Sequence, residues 1–194
     1  MESASRFEII LGCMFSGKTE EILRRVRRAQ IAEQKVVCFK PSLDTRDKKK
    51  LKTRNGDSLP AFVIDVESPQ KIIKKSQDSQ VVVIDELQFF NYDIVEVVRE
   101  LVASGKRVIG AGLESDFKGN PFCPVPELIV EAHPHFRTFL TAVCMVCRIE
   151  EADRNQRLID GQPAPADSPL ILPGGSKSGD LYEPRCRKCF IRPV

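Results

Sequence analysis

The chain has 194 residues, 42% hydrophobic and 29% charged, with a net charge of +3. That length and composition predict a packed core, one full domain with room for a small appendage, and exclude a disordered chain. The charge is too mild to imply a nucleic-acid or membrane partner, and no apolar run approaches the roughly 20 residues of a transmembrane helix.

The N-terminus, "MESASRFEII", lacks the basic and then apolar layout of a secretory signal. The chain therefore reads as cytoplasmic. Its seven cysteines are then expected to be reduced, and paired spacings point to metal rather than to disulfides.

The apolar run at 7–11, "FEIIL", predicts a strand. Residues 19–34 follow as a helix, because Ile22, Val26 and Ala29 recur at helical spacing and Leu23 widens the stripe. "KVVCF" (35–39) is a second strand, closed by Lys40-Pro41. The charged stretch "DKKKLKTRNGDS" (47–58) reads as a mobile loop. "AFVIDV" (61–66) is a strand, after which Ser68 as N-cap and Pro69 at the first helical position open a helix over "QKIIKKSQ". "QVVVI" (80–84) is a buried strand. Residues 92–105 form a helix with Ile94, Val97, Val98 and Leu101 on one face and a terminal glycine, and 106–113 is a further strand. Strands that alternate with helices and are apolar almost throughout indicate an α/β fold, a parallel sheet with helices on both faces. After about residue 140, cysteine pairs, prolines and glycines replace the long apolar runs. This predicts one domain over 1–142 and a small second one over 143–194.

"GCMFSGKT" (12–19) fits G-x-x-x-x-G-K-[ST] between a strand and a helix, the context that the phosphate-loop motif requires. Gly12 and Gly17 let backbone N–H groups approach phosphate oxygens, Lys18 supplies a positive charge for the β and γ phosphates, and Thr19 offers a hydroxyl to Mg²⁺. In "VVVIDELQFF", Asp85 and Glu86 follow a buried strand at the sheet edge where α/β proteins bind ligands. Asp85 suits the Mg²⁺ role of the second NTPase motif. Glu86 could take the proton of an attacking hydroxyl or position a water. No Asn-Lys-x-Asp motif occurs, which argues against a GTP switch. The pairs Cys144/Cys147 and Cys186/Cys189 are two C-x-x-C knuckles, the ligand set of a closed structural zinc site. Cys13, Cys38 and Cys123 have no such pairing and read as core or loop residues. His133 and His135 flank Pro134, which favours a surface turn over a metal site.

Taken together, "GCMFSGKTEE", "VCFKPSLDTR", "VVVIDELQFF", "GLESDFKGNPF", "CMVC", "NQRL" and "YEPRCRKC" resemble the type II thymidine kinases in the family's own order, over nearly the whole chain. The resemblance implies a RecA-like P-loop NTPase domain and a small zinc domain whose long loop, the lasso, closes over the nucleoside. It implies that Gly12, Cys13, Met14, Phe15, Ser16, Gly17, Lys18 and Thr19, with Asp85, Glu86, Leu87 and Gln88, contact ATP, that Arg46 lies near the phosphates, and that Glu86 is the catalytic base. By the same resemblance Phe117 walls the thymine ring, Met14, Leu87 and Phe90 shape the pocket, and Asn155, Leu170, Leu172 and Tyr182 belong to the lasso side. Mg²⁺ with ATP, one structural Zn²⁺, a homotetramer and inhibition by dTTP follow from it too.

The chain departs from the family at Cys13, where proline is usual, at Leu87, where a small residue is usual, at Asn155, where threonine is common, and at Arg148. "SKSGDL" is about three residues longer than the family pattern suggests. Two other classes stay open, a remodelling P-loop ATPase and a zinc-ribbon nucleic-acid-binding module, for which "CRKCFIRP" and "DKKKLKTR" are the basic candidates.

Overall fold

The computed structural model describes residues 5–45, 49–53, 55–170 and 180–193. Among them, strands run in the order β1 (Arg6–Gly12), β2 (Val36–Pro41), β3 (Lys50–Lys52), β4 (Ser58–Pro60), β5 (Phe62–Ile64), β6 (Val81–Ile84), β7 (Arg107–Gly112) and β8 (Arg137–Leu140). Helices α1 (Lys18–Ile31), α2 (Lys71–Lys75), α3 (Asp93–Ala103) and α4 (Val125–Glu131) connect them. Among the described residues six strands form one sheet in the order β5-β2-β6-β7-β1-β8, and every pairing is parallel. This is the α/β sheet that the apolar strands predict.

Alternation along each strand explains why these runs are apolar throughout. In β1, Phe7, Ile9 and Leu11 enter one core with α3 and α4, while Ile10 enters a second core with Ile22, Leu23, Val26 and Ala29 of α1. In β6, Val82 and Ile84 face the first core and Val81 and Val83 the second. A strand covered on both faces has no solvent side on which polar residues are tolerated. Each such side chain contributes roughly 1.5–3 kcal/mol by leaving water.

Four local expectations change. Residues 47–58 do not read as loop throughout: β3 and β4 pair as an antiparallel hairpin. Leu51, 2% exposed, and the half-buried Leu59 pack it against the α1 core, an anchorage the surrounding charges conceal. The second helix starts at Lys71, with Gln70 at its N-cap and no side-chain cap, because Ser68 and Pro69 form a preceding turn through their carbonyls. The first helix stops at Ile31 rather than 34, where the Ala32 N–H turns back to Arg28 O. Strand β8 and helix α4 were not anticipated.

Glu8 is a charged residue inside β1, 5% exposed. Arg6 and Arg107 donate to it at 2.7 Å and Arg25 at 2.9 Å. Burial pushes its carboxyl up, but the guanidiniums of Arg107, Arg6 and Arg25 outweigh that and hold it below the usual range. The Arg24 guanidinium, followed by Arg25, lowers Glu21 to about 2. Depressed folded values mean that this stability is present above about pH 4.5 and is lost as pH falls through the folded values. The urea midpoint should therefore fall between about pH 5 and pH 2. A Glu8→Gln variant should be less stable at pH 7 by about 1.5–3 kcal/mol and show a shallower acid decline, read by urea titration at several pH values. A variant with the wild-type pH profile contradicts this.

Beyond β8 lie smaller sheets. β9 (Ala142–Val143) pairs with β10 (Glu151–Ala152), and β11 (Arg154–Ile159) pairs with β12 (Gln162–Pro163) and β13 (Asp180–Arg185), all antiparallel. His133 caps a one-turn 3₁₀ helix, Pro134–Phe136, that contains His135, and the two rings stack at 5.2 Å. No helix among the described residues is long and apolar enough to cross a membrane.

Candidate active site

β1 ends at Gly12, where the chain turns with φ 143°. A Cβ there would lie 2.2 Å from the Leu140 carbonyl oxygen, so only glycine fits between β1 and β8. Phe15 and Gly17 adopt left-handed φ values of 68° and 88°, and α1 then begins at Lys18. The Lys18 ammonium donates to the carbonyls of Gly12 (2.8 Å) and Cys13 (2.9 Å). It carries three donors, so a third N–H can meet a phosphate oxygen. The Ser16 hydroxyl is buried with no hydrogen-bond partner among the described residues. An orphaned hydroxyl inside a loop of this shape fits a group rich in acceptors, such as a polyphosphate.

The loop opens on a cleft of about 710 Å³. Thr19, Asp85 and Glu86 border it, the last two from the carboxyl end of β6. Asp85, 6% exposed, accepts a bond from the Glu86 N–H at 2.9 Å. Glu86 adopts a left-handed conformation, φ 52° and ψ 49°, and a 3₁₀ turn, Leu87–Phe89, follows. A non-glycine residue there costs of order 1 kcal/mol or more, and such conformations cluster at functional sites. The bend sends successive side chains in different directions. Leu87 (0% exposed) and Phe90 (3%), expected at the pocket wall, enter the α3-side core instead. Phe89 lines the cleft, edge-on to Phe122 at 6.3 Å. Gln88, expected on ATP, borders the cleft, and its carboxamide also bonds to protein: Nε2 donates to Glu86 Oε2 (2.6 Å) and Oε1 accepts from Leu113 N–H (3.1 Å).

The segment after β7 lies between the two motifs, since β7 pairs with both β6 and β1. Glu114 accepts from the Gly12 N–H at 3.0 Å. Asp116 accepts from the N–H groups of Lys118 and Asn120, forming the turn that carries Phe117. Phe117 borders the cleft, and the Arg157 guanidinium lies 5.5 Å from its ring. Ser115 also borders it, and its buried hydroxyl has no hydrogen-bond partner among the described residues.

From the C-terminal region, Asn155 of β11, Tyr182 of β13 and Leu170, which follows β12, reach the same cleft. Asn155, 3% exposed, acts as a bracket: Oδ1 accepts from Met14 N–H (2.7 Å) and Nδ2 donates to Ser115 O (3.1 Å). Arg46 and Leu172 lie outside the described residues, as do the other lasso positions from 171 to 179. An Asn155→Ala change leaves the buried Ser115 carbonyl and the part-buried Met14 N–H without this partner. It should cost roughly 1–3 kcal/mol by denaturant titration and weaken ATP binding in calorimetry. Unchanged stability and unchanged ATP affinity in that variant would refute the bracket.

The sulfurs of Cys144, Cys147, Cys186 and Cys189 lie within 4.8 Å of one another, and Cys147 and Cys186 are 3.9 Å apart. A tetrahedral zinc with bonds near 2.3 Å needs sulfurs about 3.8 Å apart, so the four could hold one. Burial pushes the Cys144 thiol up, but the N–H groups of Cys186, Cys147 and Val146 outweigh it and bring the thiol down to about 6. Cys13 joins this cluster with Ala152, its Sγ 3.2 Å from the Ala152 carbonyl oxygen, and burial pushes its own thiol up to about 11. Thus Cys13, read from the sequence as a core or loop residue, is buried and packs the phosphate loop against the cysteine knuckles. Ser115, Phe89, Phe122, Glu114 and the Gln88 and Asn155 bonds went unanticipated, because each depends on strands brought together only by folding.

Comparison with known proteins gives two similarities. A family model described as "Thymidine kinase" matches residues 5–190. Among solved structures, the ATPase DotB of Legionella pneumophila is similar at 11% identity with a TM-score of 0.40, covering 68% of this chain. This chain spans 35% of that one.

Proposed function

The chain belongs to the thymidine kinase family, and from that premise we propose that it transfers the γ-phosphoryl group of ATP to the 5′-hydroxyl of thymidine. The product, thymidine monophosphate, would supply DNA synthesis by nucleotide salvage. The observation that carries this reading is the convergence on one cleft of the phosphate loop, the Asp85–Glu86 pair and the aromatic Phe117.

In this reading the phosphate-loop N–H groups, Lys18 and Ser16 bind the triphosphate. Thr19 and Asp85 would hold Mg²⁺, which neutralises charge on the β and γ phosphates when bound. The nucleoside lies against Phe117, with Ser115, Leu170 and Tyr182 around it, and its 5′-hydroxyl gives its proton to Glu86. The phosphoryl transition state is loose, so the hydroxyl loses its proton late and a carboxylate suffices as acceptor. Orphaned hydroxyls at a base edge reject wrong partners better than an apolar wall does.

We extend the proposal to a kinase domain over 1–142 and a zinc-bearing lasso domain over 143–194, to a cytoplasmic homotetramer, and to inhibition by dTTP. Family membership supports these. The deciding experiment incubates purified protein with ATP, Mg²⁺ and each of the four deoxynucleosides, with a DNA-only arm. Phosphorylation of thymidine above the others supports the reading. ATP turnover that depends on DNA and ignores thymidine supports a remodelling ATPase instead.

A further inference from the structure

We propose that Gln88 is a positioning residue that aligns the Glu86 carboxylate for proton acceptance; this rests on the role given to Glu86 above. Gln88 is 3% exposed on the 3₁₀ turn after β6. Its carboxamide has one orientation that satisfies both neighbours. The Leu113 N–H is only a donor and must meet Oε1 (3.1 Å), which turns the NH₂ group onto Glu86 Oε2 (2.6 Å). Leu113 directly follows β7, which is in register with β6 through Ile84 and Gly110. The Glu86 side chain is thereby tied to the middle of the sheet rather than only to its own left-handed turn.

The surroundings are built to the carboxamide. A Cβ on Gly112 would come 3.2 Å from Gln88 Oε1, closer than ordinary contact, so glycine there leaves the amide its room. A glutamate has three rotatable side-chain bonds. Holding one carboxylate oxygen removes most of that freedom before substrate arrives, and a general base off by about 1 Å can lose on the order of a hundredfold in rate. The Gln88 bond therefore acts on the chemical step and leaves nucleotide binding to the phosphate loop.

Two variants test this. Gln88→Met keeps length and bulk but removes both bonds. Gln88→Glu keeps an acceptor for the Leu113 N–H and sets a carboxylate where the donor to Glu86 was. Each should lower kcat roughly 10–100-fold with KM for ATP and nucleoside nearly unchanged. In the Glu86→Gln background, Gln88→Met should lower kcat by no more than about twofold, because the two residues act as one unit. Full kcat in folded Gln88→Met or Gln88→Glu, beside a crippled Glu86→Gln, overturns the positioning role and leaves the base assignment intact. Equal losses in both backgrounds overturn it too. If Glu86→Gln itself keeps its turnover, the base assignment fails and the positioning role falls with it. Should Gln88→Met not fold, the kcat of Gln88→Glu decides alone.

Discussion

Glu86→Gln should lower thymidine turnover on the order of a hundredfold or more, the range that general bases contribute. The substitution keeps side-chain length, the left-handed backbone and a polar partner for Gln88, and removes only the ability to accept a proton. ATP affinity should change little, because Lys18, Ser16 and the Asp85 carboxylate remain. Two observations favour a chemical over a capping role. The carboxylate borders the cleft that the phosphate loop also borders. It also makes no side-chain cap to the 3₁₀ turn that follows it. A capping role predicts lost thermal stability with near-normal turnover of the folded fraction. Steady-state kinetics and melting curves on one preparation separate the two. A stable variant with most of its thymidine turnover refutes the assignment.

Cys144→Ser should release zinc, unsettle the small sheets and weaken ATP binding about tenfold or more. Structural zinc sites contribute roughly 10–16 kcal/mol in isolated fingers, as much as the whole stability of a typical domain. Loss of one thiolate is therefore not absorbed locally. The effect reaches the phosphate loop by two routes. Cys13 packs in the same buried cluster as Cys144, Ala152 and Cys186. Met14 N–H is held by Asn155, whose strand β11 pairs with the β13 segment leading to Cys186. A tenfold change in affinity is about 1.4 kcal/mol, the scale of one lost buried hydrogen bond. Zinc content by elemental analysis and ATP binding by calorimetry, on wild type and variant, give the two readings. Zinc-free protein that binds ATP as the wild type does would refute the coupling, and metal-free active wild-type protein would refute the zinc itself.

Much of this architecture was legible before folding. The strands at 7–11, 35–39, 80–84 and 106–113 stand out because burial on both faces demands unbroken apolar runs. The phosphate loop and the four cysteines stand out because their chemistry demands fixed local spacing. What stayed hidden is what spacing along the chain cannot encode. β8 is "RTFL", an edge strand only partly buried, so it carries no clean pattern. α4, "VPELIVE", is seven residues long with proline in its first turn and too short to show a period. The β3–β4 hairpin is held by Leu51 and Leu59 among charges. At the site, Gln88 meets Leu113 across 25 residues and Asn155 meets Met14 across 141. The left-handed turn at Glu86 redirected Leu87, Phe90 and Phe89, and nothing in "DELQFF" announces that rotation.

The place of β1 between β7 and β8 has a consequence for how the protein is made. β1 leaves the ribosome well before either of its sheet neighbours, both of which are encoded far downstream. Gly12 and its partner Glu114 are 102 residues apart, which at about 5–20 residues per second is roughly 5–20 s of synthesis. Throughout that interval "FEIIL" is an apolar strand with neither edge paired, a template for other nascent chains. The phosphate loop waits longer still, until Asn155 emerges to bracket Met14. Nascent chains halted before β7 should therefore be aggregation-prone and unable to retain ATP, whereas chains released after the second cysteine knuckle should fold and bind it.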